Sequence, residues 1–158
     1  MRSPAQVLKV NGKLFSVSVE PSTALLYVLR NDLGLKGTRV GCAEGHCFSC
    51  TVLSDGRPYQ SCAVSVAATE GKNIQTVESL QESDAGRALV ASFVREQAGQ
   101  CGYCLAGILM SAKALLDSQA SPTRNDIVAA IDGHLCRCGA HTRILRAIEN
   151  AALVRRSA

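Results

Sequence analysis

The chain has 158 residues, 47% of them hydrophobic, 4% aromatic and none tryptophan. That composition supports a packed core, argues against disorder, and leaves too few aromatics for a base-stacking surface on single-stranded nucleic acid. The formal charge of +4 counts eight cysteines as neutral; bound to metal as thiolates they remove that excess, so the charge is no nucleic-acid signal.

The opening stretch, "MRSPAQVLKVNGKLFSV", holds no apolar run of signal-peptide length and no twin-arginine pair, and no stretch approaches transmembrane length. The expectation is a cytoplasmic chain without membrane insertion of its own, reaching a membrane or the periplasm only through a partner. Disulfides are rare in the cytosol, so eight cysteines call for metal or redox chemistry.

In chain order, "VLKV" and "LFSVSVE" flank Asn11-Gly12, a strong hairpin signal. Pro21-Ser22-Thr23 introduces "ALLYVLRND", where Leu25, Leu26, Val28 and Leu29 have helical spacing and Thr23 is placed to cap. Residues 33–50 carry four glycines and no periodicity, so they read as loop. "TVLS" and "RPYQS" flank Asp55-Gly56, a second hairpin. From Asp84 the pattern turns helical. "AGRALVASFVREQA" puts Leu89, Val90, Phe93 and Val94 on one side, and "LAGILMSAKALLD" reads as a buried helix. Thr123 to Asp126 has a capping-box shape before "IVAAID", Gly133 supplies a C-terminal stop, and Thr142 is placed to cap "RILRAIENAALV". The final "VRRSA" reads as a frayed tail. The prediction is an α+β chain, with a small strand–helix–strand domain over residues 1–78 and a four-helix bundle over 79–158.

The cysteines divide between these parts. Cys42, Cys47 and Cys50 are spaced C-x4-C-x2-C, and Cys62 follows after eleven residues. The opening run matches the plant-type [2Fe–2S] spacing. Four thiolates must wrap a compact cluster while backbone N–H groups turn towards its sulfurs, and the glycines of "VGCAEGHCFSC" permit that approach. Cys101 and Cys104 form C-x2-C; Cys136 and Cys138 form C-x-C after 31 residues. Both pairs precede predicted helices, whose N-termini favour thiolate over thiol. Arg137 adds a positive charge that raises the potential of a cluster there, unless it merely points to solvent. Structural zinc also takes four thiolates, usually as two C-x2-4-C pairs, and the C-x4-C-x2-C run fits that poorly. Four disulfides would suit a secreted chain. Two iron–sulfur clusters lead, and zinc stays open.

With two sets of four cysteines, His46, His134 and His141 are not needed as ligands. His46 and His134 are expected to face solvent or a partner. Glu44 reads as a solvated loop charge or an interface group, and Tyr103 as packing beside its helix ahead of touching a partner. Ser49 and His46 lack a third residue to orient a base, so no catalytic site is expected on this chain.

"GCAEGHCFSCTV", "QCGYCLAGILMSAKALL" and "LCRCGAHTRILRAIENA" resemble the small iron–sulfur subunits of the molybdenum hydroxylases, the xanthine oxidase and aldehyde oxidoreductase family, over residues 5–153. "LRNDLGLKGTRVGC" and "CRCGAHTRILRAI" look closest to the small subunits of nicotinate dehydrogenases and isoquinoline oxidoreductases. The resemblance implies a ferredoxin-like β-grasp domain holding a first [2Fe–2S] cluster on Cys42, Cys47, Cys50 and Cys62. It implies a helical-bundle domain holding a second on Cys101, Cys104, Cys136 and Cys138. It further implies a large partner subunit that carries molybdopterin cytosine dinucleotide, with Gln100 and Cys138 lying at the pterin. Electrons would pass one at a time through the second cluster, then the first, to a flavin subunit or a cytochrome c domain. The implied substrate is an N-heteroaromatic such as nicotinate, with an aldehyde as the alternative. Nucleic acid is not an expected partner. The readings from other classes are a free-standing ferredoxin shuttle and a zinc-stabilised interaction module. A dedicated subunit should instead expose an apolar or cofactor-facing patch around Gln100–Cys104 and Cys136–Ala140.

The sequence departs from the family's G-C-G-E-G-x-C-G-A-C, because Ala43 and Phe48 stand where glycines are usual. A positive φ at either position strains or reshapes the loop. A ring at 48 otherwise shields the cluster from water. Ala140-His141 replaces the usual Gly-Tyr, which bears on detail at the subunit interface.

Overall fold

The first hairpin forms as its turn dipeptide requires. β1 (Ala5–Val10) and β2 (Lys13–Ser18) are joined by Asn11 and Gly12 at φ 49° and 75°, the two left-handed positions of a type I′ turn. Asp55 and Gly56, at 49° and 80°, do the same between β3 (Thr51–Ser54) and β4 (Arg57–Gln60). The structure is a computed structural model describing residues 5–156, the side chain of Arg156 excepted. Met1–Pro4 of the opening stretch and the last two residues of "VRRSA" lie outside the described residues.

A fifth strand, β5 (Asn73–Gln75), is too short for its alternation to register in the sequence, yet it sits at the centre of the sheet. The order is β2-β1-β5-β3-β4, with β5 parallel to β1 and antiparallel to β3. Both hairpin turns are stitched to it. Asn11 N–H donates to the Ile74 carbonyl at 2.8 Å, and Asp55 N–H to the Asn73 carbonyl at 3.0 Å. Leu8, Val10, Val17, Val52 and Ile74 from the strands close on Leu25, Val28 and Leu29. Those last three belong to α1 (Leu25–Tyr27) and the wider π-helical turn Val28–Asp32 that continues it. This is the β-grasp arrangement that the resemblance implied. Thr23 does not cap α1. Its N–H bonds to the Glu20 carbonyl and its own carbonyl accepts from Val66, so the residue is committed to a neighbouring loop.

Among the described residues the second part holds four helices: α2 (Asp84–Arg95), α3 (Leu105–Ser118), α4 (Arg124–Ile131) and α5 (His141–Arg156). Ser83 caps α2 by accepting from Gly86 N–H at 3.1 Å, and the capping box of Thr123 and Asp126 opens α4 as its sequence requires. Thr142 lies inside α5 instead of capping it, because the Ala140 carbonyl already accepts from Arg143 and Ile144. Gly133 is not a left-handed stop; α4 ends at Ile131 and Gly133 is not among the positive-φ glycines. Phe93 is 5% exposed but Val94 is 66% exposed, so the apolar stripe of α2 reaches past the core. β3 serves both parts and is buried throughout. Val52 enters the sheet core, and Leu53 joins Leu80, Leu89 and Ile108 in the helical core. No helix among the described residues is long and apolar enough to cross a membrane.

Candidate metal centres

The first cysteine loop has no regular structure, so side chains pin its approach. Arg30 donates to the carbonyls of Lys36 and Thr38 at 2.8 and 2.7 Å, and Glu78 accepts from Gly37 N–H at 2.8 Å. Beyond that anchor, Ala43, Gly45 and Phe48 all have positive φ, at 59°, 79° and 59°. The loop is therefore the strained form foreseen for non-glycine residues at 43 and 48. The turning brings backbone N–H groups round to sulfur. Cys42 Sγ accepts from Glu44, His46 and Cys47 at 3.3–3.4 Å, Cys47 Sγ from Cys42 at 3.2 Å, and Cys62 Sγ from Gly45 at 3.3 Å. Gly41 must lack a side chain, because a Cβ there would approach Cys47 Sγ closer than 3.0 Å.

The thiols fall into pairs. Cys42 touches Cys47. Cys62 touches Cys50, drawn there by Ser61, whose Oγ and N–H both donate to the Cys50 carbonyl at 2.8 and 3.3 Å. In the second group, Cys101 and Cys138 stand 3.6 Å apart, and Cys104 touches Cys136. Gly102 and Gly139, at φ 78° and 67°, turn the chain beside Cys101 and Cys138. All eight cysteines are free of disulfide partners. A binuclear cluster has two irons and takes four cysteine thiolates; two pairs per loop, with inward N–H groups, fit that donor set.

Electrostatics separates the members. The N–H groups of Glu44, His46 and Cys47 lower the Cys42 thiol to about 6. The N–H of Tyr103 lowers Cys101. Burial opposes ionisation of Cys136, but the N–H groups of Ala140, Cys138 and Gly139 and the neighbouring Cys104 thiol hold it below the ordinary thiol value. Burial pushes Cys62 up to about 11 and Cys104 to about 12, each reinforced by its paired thiol. Cys104 immediately precedes α3, so burial there outweighs the helix N-terminus expected to favour its thiolate. Metal held by these two would have to displace their protons, so its binding would release protons.

Gln100 and Cys138, 38 residues apart, are brought together. Gln100 Nε2 donates to the Cys138 carbonyl at 3.3 Å, and Gln100 is exposed. Around them exposed apolar residues stand beside the exposed Arg137. Tyr103 is 48% and Leu135 66% exposed, and a groove of about 350 Å³ runs beside Gln100 along Val90, Phe93, Val94 and Leu105. Within the stretches expected to form a partner-facing patch, Gln100–Gly102 and Tyr103 are exposed while Cys104 and Ala140 are buried. Tyr103 does more than pack. Its hydroxyl donates to the Val40 carbonyl at 2.5 Å, and the Arg39 guanidinium sits over its ring. His46 and Glu44 are exposed as foreseen, and Arg137 between Cys136 and Cys138 is exposed as well. His134 is not; it is 2% exposed, its Nε2 2.8 Å from Ser111 Oγ and its ring against Phe48. Burial lowers it to about 4, so it is neutral. No local pattern could signal this, because Phe48 and Ser111 are distant in sequence.

Two family models match the chain. "2Fe-2S iron-sulfur cluster binding domain" covers residues 8–89 and "[2Fe-2S] binding domain" covers 76–149. The chain is 46% identical over 149 residues to a nicotinate dehydrogenase subunit from Pseudomonas putida, spanning 94% of this chain and 95% of that one. It superposes on a chain of quinoline 2-oxidoreductase from Pseudomonas putida 86 with a TM-score of 0.91 and 38% identity, covering 99% and 98% of the two chains. It also superposes on aldehyde oxidoreductase from Desulfovibrio desulfuricans with a TM-score of 0.89 and 32% identity, covering 97% of this chain and 17% of that one.

Proposed function

The chain belongs to the small iron–sulfur subunits of the molybdenum hydroxylase family, and from that premise we propose that it serves a complex oxidising an N-heteroaromatic compound such as nicotinate. As in its relatives, its task is electron transfer within a multi-subunit oxidoreductase, and it carries [2Fe–2S] clusters. When bound, each cluster accepts and releases one electron at a time. Cys42, Cys47, Cys50 and Cys62 would hold the first, and Cys101, Cys104, Cys136 and Cys138 the second. The observation that carries this assignment is the two-and-two pairing of thiols in each loop, with backbone N–H groups turned towards sulfur. The division falls at 78/79, supported by one core under the sheet and another among the helices.

Gln100 and Cys138 would meet the molybdopterin cytosine dinucleotide of a large partner. Their direct hydrogen bond on an exposed, apolar-rimmed face supports that role. Gln100 orients the Cys138 backbone there, and the flanking apolar surface would be covered by the partner, which excludes water. The exposed Cys42 loop is the exit, towards a flavin subunit or a cytochrome c domain. The N-heteroaromatic reading rests on likeness to nicotinate dehydrogenase and quinoline 2-oxidoreductase.

The deciding experiment is electron paramagnetic resonance of the dithionite-reduced chain, with iron and zinc assayed on the same sample. Two distinguishable signals and about four irons per chain are expected, as two binuclear clusters require. Zinc without such signals would overturn the reading. Turnover of nicotinate, and not of aldehydes, by the complex purified with its partner checks the substrate class.

A further inference from the structure

Two loops distant in sequence meet at a point that holding iron does not require. Phe48 lies between Cys47 and Cys50, and His134 two residues before Cys136. Their rings pack edge to face, with centroids 5.5 Å apart and planes at 62°. A Cβ on Gly133 would come within 2.9–3.1 Å of three atoms of the Phe48 ring. A Cβ on Gly107 of α3 would approach the Phe48 carbonyl closer than 3.0 Å. The absence of side chains at 107 and 133 is therefore what lets Phe48 seat. Leu135 N–H donates to the Cys47 carbonyl at 3.3 Å, and Ser111 of α3 holds the His134 ring at 2.8 Å.

This junction is held against two costs. Phe48 has φ 59°, a left-handed conformation that a glycine would adopt freely and a bulky residue adopts rarely. His134 Nδ1 is buried without a hydrogen-bond partner among the described residues. Glycine at 48 would relieve the first cost while keeping the path of the loop. The ring, not the backbone, is what the strain retains.

We infer that Phe48, seated on Gly133 and His134, is a positioning residue that fixes the spacing between the two cysteine loops and so between the clusters they hold. The inference rests on the two-cluster reading. The Leu135 N–H to Cys47 carbonyl bond ties the two loops directly, so clusters held on them would be near neighbours whose magnetic interaction reads the spacing. A junction seated by the Phe48 ring would give that interaction one value.

The test uses the full-length chain loaded with both clusters and reduced by dithionite. Iron is assayed, and the distance-dependent magnetic interaction between the centres is measured by pulsed electron paramagnetic resonance. Phe48→Gly should keep the iron of the wild type but spread the interaction from one value into a broad distribution. Gly133→Ala should cause the same spread when Phe48 is present and add nothing in Phe48→Gly. An interaction unchanged in iron-replete Phe48→Gly, or a Gly133→Ala effect equal in both backgrounds, overturns the latch. Should Phe48→Gly lose iron, Phe48→Leu carries the test, since it fills the site without the edge-on ring; an unchanged interaction there overturns it equally. A wild-type chain without iron would overturn the cluster reading itself, and the metal assay shows that before any variant is compared.

Discussion

Ala43 shows the cost of turning a backbone around sulfur with the wrong residue. It sits at φ 59° in an exposed turn. A left-handed L-residue costs about 1–2 kcal/mol, and glycine returns about 0.5–1 kcal/mol of that through the freedom of its unfolded chain. Ala43→Gly should therefore stabilise the chain by about 0.5–1 kcal/mol, read as a higher urea midpoint at unchanged slope. The thiols offer a second test at this scale. Cys42, with a thiol lowered to about 6, is mostly thiolate at neutral pH and becomes protonated as pH falls through that value. Cys62 and Cys104, raised to about 11 and 12, stay protonated there. In the chain stripped of iron, iodoacetamide at neutral pH should label Cys42 and Cys101 well before Cys62 and Cys104, as followed by mass spectrometry. Labelling of Cys42 should slow as pH drops below about 6. Equal labelling of all eight would contradict the N–H cradle.

At the scale of elements, the join between the two parts depends on a glycine chosen for space. Gly86 lies in the first turn of α2, and a Cβ there would approach the Leu80 carbonyl closer than 3.0 Å. Alanine is the better helix former by about 1 kcal/mol, while overpacking costs about 1–3 kcal/mol. The obstructing atom is backbone, which yields little, so the clash wins. Gly86→Ala should lower stability by up to about 2 kcal/mol, measured by thermal unfolding of the loaded chain. A rise in the melting temperature would show that the 77–82 turn shifts freely. The helix ends show how local rules fare. Thr123 and Asp126 make their capping box with partners only three residues apart. Thr23 and Thr142 have capping chemistry but no cap to make, because backbone bonds to Glu20 and Val66, and from Arg143 to Ala140, settle those chain positions first.

For the whole molecule, the consequential arrangement is two cysteine loops tied together on two sides. Tyr103 reaches Val40, and Leu135 reaches Cys47. Gln100 and Cys138 lie at the apolar-rimmed surface of the helical part. Cys138→Ser should cut iron to about two per chain, remove one resonance signal and leave the other. In the assembled complex it should also stop reduction of the physiological acceptor. Both signals persisting at full iron would remove Cys138 from the ligand set.

The sequence by itself determined the two hairpins and the run of four helices and proposed two sets of four cysteines, because turn dipeptides, helical periodicity and ligand spacing are all local. It also marked Ala43 and Phe48 as anomalies, and both stand at positive φ. Only the tertiary structure decided how the thiols pair, because Cys50 meets Cys62 through a strand register and Cys101 meets Cys138 across 37 residues. It likewise placed the three-residue β5 at the centre of the sheet, where it is held by long-range backbone bonds. And it buried His134, which the sequence had left to solvent or a partner, because the groups enclosing it come from Phe48 on one loop and Ser111 on α3. Burial is a sum over neighbours that the order of residues along the chain does not supply.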